Sequence, residues 1–226
     1  MKENKSLLWG FLKRRECVLP TWRGWLLLLV FLALVAALAV SNTYNFLAMN
    51  APLPDGILVV EGWGPDYVMD RVLKEYQTQH YDAIFTTGGP VDKGANFTPY
   101  KNFADMAAAT LEAMGIDPKS VHSIPADGVT KDRTFSFALA LKKWLADHGS
   151  NAKNITLITL GAHARRSHLL YEKAFGGSAH IGVIAVYDKD IDAPHWWMNS
   201  AGFRTVTDEA IAYIYARFLF HSVAEK

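Results

Sequence analysis

The stretch Thr159-Leu160-Gly161-Ala162-His163-Ala164-Arg165-Arg166 sets a histidine and two arginines directly behind an apolar run. Guanidinium forks recognise phosphate or carboxylate, and an imidazole moves a proton near neutral pH. Helix N-termini add to such anion sites. The stretch therefore reads as an anion site with an acid–base group, the plainer alternative being a basic surface turn. His163 is the expected general acid or base. Glu61, Asp127 or Asp132 are expected to orient it, and Arg71, Arg165 and Arg166 to hold an anion.

Other segments that follow apolar runs extend this set. Glu61-Gly62-Trp63-Gly64-Pro65-Asp66 lets a ligand approach the backbone at its glycines. Thr86-Thr87-Gly88-Gly89-Pro90 offers two hydroxyls and a small nest of backbone N–H groups. Asp127 and the group Asp132-Arg133-Thr134 precede another helix, where an Asp or Thr can also simply cap. The expected catalytic residues are thus His163, Asp132 and Glu61. The expected binding residues are Gly62, Arg71, Thr87, Gly88, Gly89, Asp127, Arg133, Thr134, Arg165 and Arg166.

Familiar chemistries are missing. There is no GxSxG elbow, Walker loop or HExxH, and His122, His163, His168, His180 and His195 lack a zinc spacing. Asp188, Asp190 and Asp192 alternate like part of a calcium loop but lack its Gly and closing Glu. No metal is expected, and no motif names a cofactor.

The elements that must position these residues alternate. Strands are expected at residues 57–60, 83–87, 121–124, 155–160 and 181–186. Helices are expected at residues 66–79, 101–114, about 134–148, 164–175 and 205–220. Such βα alternation with apolar strands predicts a Rossmann-like α/β fold, a parallel sheet of about five strands with helices on both faces. Ligands of such sheets bind beyond the carboxyl ends of the strands, where the candidate residues fall. Trp196-Trp197 reads as a lid, a membrane-facing wedge or ordinary packing.

The chain has 226 residues, half of them hydrophobic, with 23 basic and 22 acidic side chains. That balance excludes a disordered chain and gives no basic surplus for nucleic acid. A single cysteine, Cys17, excludes a disulfide framework. The charge is uneven: residues 1–25 carry +4, residues 26–50 none, and residues 51–226 carry −3. Residues 26–40 are an unbroken apolar run flanked by Trp22, Arg23 and Trp25. A spanning helix needs roughly 20 such residues, which residues 22–41 supply if Arg23 snorkels.

The basic segment before the run predicts a cytoplasmic N-terminus and an extracytoplasmic body, held by one helix in the cytoplasmic membrane. An uncleaved anchor is expected, a signal peptide cleaved after Ala37-Leu38-Ala39 being the competitor. The expected organisation is a basic segment at 1–21, helix and exit at 22–49, a linker at 50–56 and an α/β domain at 57–226.

Within residues 57–220 the chain resembles the YdcF/SanA/ElyC-like bacterial envelope proteins, a domain of unknown function. The resemblance is carried by the apolar first strand with Gly62 after it, by Arg71, by Thr87-Gly88-Gly89 where the family has Ser-Gly-Gly, by Gly115-Ile116, by Thr134, and by His163 with Arg166 in a His-x-x-Arg pattern. It departs where Asp105 only neighbours the family's Glu position, where Arg133 replaces Asn, and where Ser136 and Phe137 replace Glu-Asn. The resemblance implies a Rossmann-like fold behind membrane helices and a role in envelope biogenesis, in a divergent branch. It implies no settled reaction. The expected ligand is a phosphate- or carboxylate-bearing envelope precursor such as a lipid-linked sugar. A non-catalytic sensor and an assembly scaffold are the alternatives.

Overall fold

The computed structural model describes residues 6–7, 12–13, 19–91, 94, 96–126 and 131–221. The chain divides into two compact units, Met1–Ser41 and Asn42–Lys226. In the first, Ser6–Leu7 pairs antiparallel with Leu12–Lys13. Helix α1, Trp22–Leu47, begins there and ends in the second unit. Every side chain from Trp25 to Ser41 is uncharged and lies exposed. A helix apolar all round belongs in a core or a membrane. This one is long and apolar enough to cross a bilayer.

The second unit is a five-stranded parallel sheet: β1 Asp55–Glu61, β2 His80–Gly88, β3 Val121–Pro125, β4 Asn154–Leu160 and β5 His180–Val186. Its strand order is β3-β2-β1-β4-β5. The connecting helices are α2 Asp66–Thr78, α3 Phe103–Ala113, α4 Arg133–Asp147 and α5 Ala164–Phe175, with α6 Ser200–Ile214 last. A π-helical turn, Tyr215–Leu219, extends α6. The expected parallel α/β architecture is the one observed.

Both sheet faces are covered, which is why the strands read as apolar runs instead of alternating. Leu58, Val60, Ile84 and Ile158 face Val72 of α2 and Leu111 of α3. Val59, Ile155 and Leu157 face Leu141 of α4 and Tyr171 of α5. Truncating a wholly buried residue such as Leu157 to Ala costs about 2–5 kcal/mol in such a core.

Residues 50–56, expected as a linker, are strapped to the sheet. Ala51 exchanges backbone hydrogen bonds with Val183 at 2.8 and 3.1 Å, and Asn50 Oδ1 accepts from the Ala185 N–H. Gly182 makes room: a Cβ there would meet the Ala51 carbonyl oxygen at 2.8 Å. The end of α1 also packs inward, with Tyr44 and Leu47 buried among Ala162, Ile191, Trp196 and Val206. Trp196 is therefore a packing residue, while Trp197 beside it is exposed.

Candidate functional site

The strand order reverses between β1 and β4, and a crevice opens where connections leave in opposite directions. Glu61 is the last residue of β1. His163 ends the short turn Gly161–His163 that follows β4, and α5 starts at the next residue. Gly161 takes φ +42° there, and an added Cβ would crowd Tyr44 and Asp188. The turn thereby delivers His163 to the switch point, beside Glu61.

Four charged side chains meet at this point. The His163 Nε2 stands 3.4 Å from Glu61 Oε2, and its Nδ1 lies 2.8 Å from Glu209 Oε1. Arg166, one turn along α5, donates from Nε to Glu209 Oε2 at 2.8 Å and from Nη2 to Oε1 at 3.0 Å. Glu61 is wholly buried and accepts from the Thr159 hydroxyl and from Ser167 Oγ at 3.2 Å. Trp63 sets its ring edge-on against His163, with centroids 5.1 Å apart.

Burial alone would lower the His163 pKa, but the Glu61 and Glu209 carboxylates outweigh it and hold it up at about 9. The ring is an imidazolium at neutral pH, so Nδ1–H donates to Glu209. Arg166 Nη2, 2.9 Å from that same nitrogen, then shares Glu209 with it and makes no bond to the ring. Burial pushes Glu209 up, yet His163 and Arg166 bring it down to about 2. Burial likewise works against the Glu61 carboxylate, and His163, Thr159 and Arg166 still leave its pKa lowered. Arg166 is held further up by Glu209 against its own burial. Two cations and two anions balance. The Nε2–H makes no hydrogen bond, because Glu61 is close but off its axis.

The His163 side chain lines a cavity of about 760 Å³. Trp63, Phe103, Phe137, Leu170, Tyr215 and Phe220 form apolar walls, and His163, Arg166 and Glu209 supply a charged patch. Asp132, Arg133 and Thr134 line it from the start of α4, together with Gly89. A second chamber of about 320 Å³ shares Trp63, His163 and Glu209 and adds Asp188, Thr205 and Asp208. The histidine is thus the partition between an aromatic chamber and an acidic one.

The expected residues divide sharply. His163, Glu61 and Arg166 form one cluster, and Gly89, Asp132, Arg133 and Thr134 share its cavity. Asp132 takes the left-handed conformation, φ +49°, at the head of α4, and no described bond joins it to His163. The residue that orients the imidazole is Glu209 instead.

Three corrections concern the anion set. Arg71 pairs with Glu75 at 2.9 Å, and its charge acts on Tyr81, near the start of β2 at the amino edge of the sheet. Arg165 turns away to the Phe46 carbonyl and lays its guanidinium 3.9 Å from the Phe46 ring centroid. Arg166 spends two nitrogens on Glu209. The three arginines do not converge.

Gly62, Thr87 and Gly88 serve packing. A Cβ on Gly62 would meet the Phe103 carbonyl oxygen at 2.4 Å, and one on Gly88 the Ala104 nitrogen at 2.7 Å. Thr87 Oγ1 is buried between the Val60 carbonyl and the Tyr171 hydroxyl, each at 3.3 Å. Asp127 lies outside the described residues. Among the described residues no three His, Cys, Asp or Glu side chains group as metal ligands do.

Glu209 was not singled out by its sequence. The available signal was a carboxylate in register with Val206, Tyr213 and Ala216, the face of α6 that packs inward. Charges on such a face are rarely buried without a partner.

No protein family and no curated protein matches the chain in sequence. Among solved structures, an A-type ketoreductase of a modular polyketide synthase is similar over 73% of this chain, at 14% identity and a TM-score of 0.29. This chain spans 46% of that protein's length.

Proposed function

We propose that the chain is a membrane-tethered acid–base enzyme acting on an amphiphile, a lipid-linked envelope precursor with a phosphate- or carboxylate-bearing head. The carrying observation is the His163 imidazolium, held buried between Glu61 and Glu209 on a side chain that lines an aromatic-walled cavity. The envelope setting rests on the resemblance to the YdcF/SanA/ElyC-like proteins, and the lipid tether on α1.

In this reading the apolar walls hold the substrate's hydrocarbon part. Arg133 faces its anionic head from the start of α4. His163 passes the Nε2 proton to a substrate oxygen and becomes a neutral imidazole, with Nδ1–H still on Glu209. Glu61 stabilises the charged ring before transfer. Expelling water from the aromatic chamber strengthens each of these interactions.

A second reading is a sensor that binds the same ligand unchanged. It is favoured by the internal balance of the cluster, in which both carboxylates already have donors.

The full chain in detergent separates the two. Polyprenyl-phosphate-linked sugars and water-soluble sugar phosphates are compared for thermal stabilisation and for turnover. The enzyme reading expects stabilisation by the lipid-linked compounds, with turnover abolished in His163→Gln and binding retained. Ligand recovered unchanged supports the sensor. Stabilisation by neither class rejects both.

A further inference from the structure

The path of the chain out of α1 runs the length of the sheet. Tyr44 lies against Gly161 and Asp188, just past the carboxyl ends of β4 and β5. Asn50 then meets Ala185, and Ala51 meets Val183 one step further down β5. Leu53 bonds Thr156 early in β4 at 3.0 Å, and its carbonyl accepts from Tyr81 at the start of β2 at 2.8 Å. Asp55 opens β1. Followed backwards, residues 55 to 44 climb from the amino edge of the sheet to its carboxyl edge. The apolar run of α1 ends at Val40, four residues before Tyr44 in the sequence.

Exposed apolar side chains follow the same polarity. On the carboxyl-edge connections Trp63, Phe97, Tyr187, Trp197 and Met198 are all exposed, Met198 at 73%, as is Phe203 in the first turns of α6. The other exposed large apolar residues beyond residue 50, among those described, lie on α6 and the turn after it, which start from that edge. The amino-edge connections expose Asp117, Lys119, His148, Ser150 and Lys153 instead.

We infer that the carboxyl edge of the sheet rests on a lipid bilayer surface, with Trp197, Met198 and Phe203 in its interfacial layer. Tryptophan and other amphipathic rings favour that layer. The contact is apolar in character, because Asp188, Asp190 and Asp192 sit on the same edge and oppose attraction to anionic headgroups. Both chambers beside His163 then open close to the lipid. This docking stands without the proposed chemistry, since it uses none of the cluster's residues.

The test uses the full chain reconstituted in phosphatidylcholine vesicles, with Cys17→Ser and one added cysteine carrying a bimane label. Met198→Cys and Phe203→Cys report the carboxyl edge, and Lys119→Cys the amino edge. A seven-residue strand separates the edges by about 23 Å. Quenching by doxyl-labelled lipid is expected to be several-fold stronger at 198 and 203 than at 119, unchanged by salt and by His163→Ala. Equal quenching at the two edges overturns the inference. So does a label at 198 that is shielded from aqueous iodide but not reached by doxyl lipid, which would assign the face to a protein partner or a second copy.

Discussion

Two arginine–glutamate pairs of nearly equal length lie apart on the α/β domain, one on α2 and one between α5 and α6. Arg71 and Glu75 meet at 2.9 Å, and Arg166 and Glu209 at 2.8 Å. The first is a single contact between successive turns of α2, with the arginine side chain 41% exposed. The second joins α5 to α6 across 43 residues, is bidentate, and shares its carboxylate with His163. Water reaches the arginine of the first pair, while its Glu75 partner is buried. The second is buried with two more charges and is stabilised only as a set. Chemistry in this fold depends on which edge of the sheet a charge reaches, not on the residue types in the pair.

The largest break in this contrast is Glu61→Ala. It leaves the His163 imidazolium without one counter-charge and Thr159 and Ser167 without their acceptor. A buried pair broken in this way costs about 3–5 kcal/mol, read by denaturant unfolding of the full chain in detergent. A loss below about 1 kcal/mol would mean that water reaches the cluster freely. Glu209→Gln keeps an acceptor for Nδ1 but leaves Arg166 beside a second cation. A loss of about 2–3 kcal/mol is expected, together with a lower His163 pKa.

Stability against pH separates the pairs further. The folded His163 pKa of about 9 lies above the ordinary 6.5. Its contribution is therefore full below about 6.5 and fades as pH rises through 9. Glu209, at about 2 against an ordinary 4.5, contributes fully above about 4.5 and loses that contribution as pH falls towards 2. The wild-type melting temperature should be highest between these limits on account of the cluster. Glu209→Gln should flatten both flanks, and unchanged flanks would remove the cluster from the stability balance. Arg71→Ala is the smallest change, about 1 kcal/mol because it leaves the buried Glu75 without its partner, and without effect on ligand binding. A binding defect there would restore Arg71 to the site.

The fold was legible because its strands are buried on both faces. Runs such as residues 57–60 stay apolar throughout, and glycines or prolines punctuate them. His163 with Arg166 was legible too, since three residues apart on a helix means one face. Arg71 misled because α2 starts at the site edge and then runs back, carrying position 71 about 8 Å away from its first residue. Glu209 was hidden for the opposite reason. Nothing local connects it to Arg166, and only the return of α6 over the sheet brings them together.

The most direct test of the account is a titration of the His163 ring by NMR, in the full chain carrying labelled histidine and assigned by His163→Gln. The account predicts an imidazolium throughout neutral pH that titrates near 9, and a lower value in Glu61→Gln and in Glu209→Gln. A ring that titrates at or below the ordinary 6.5 would contradict it.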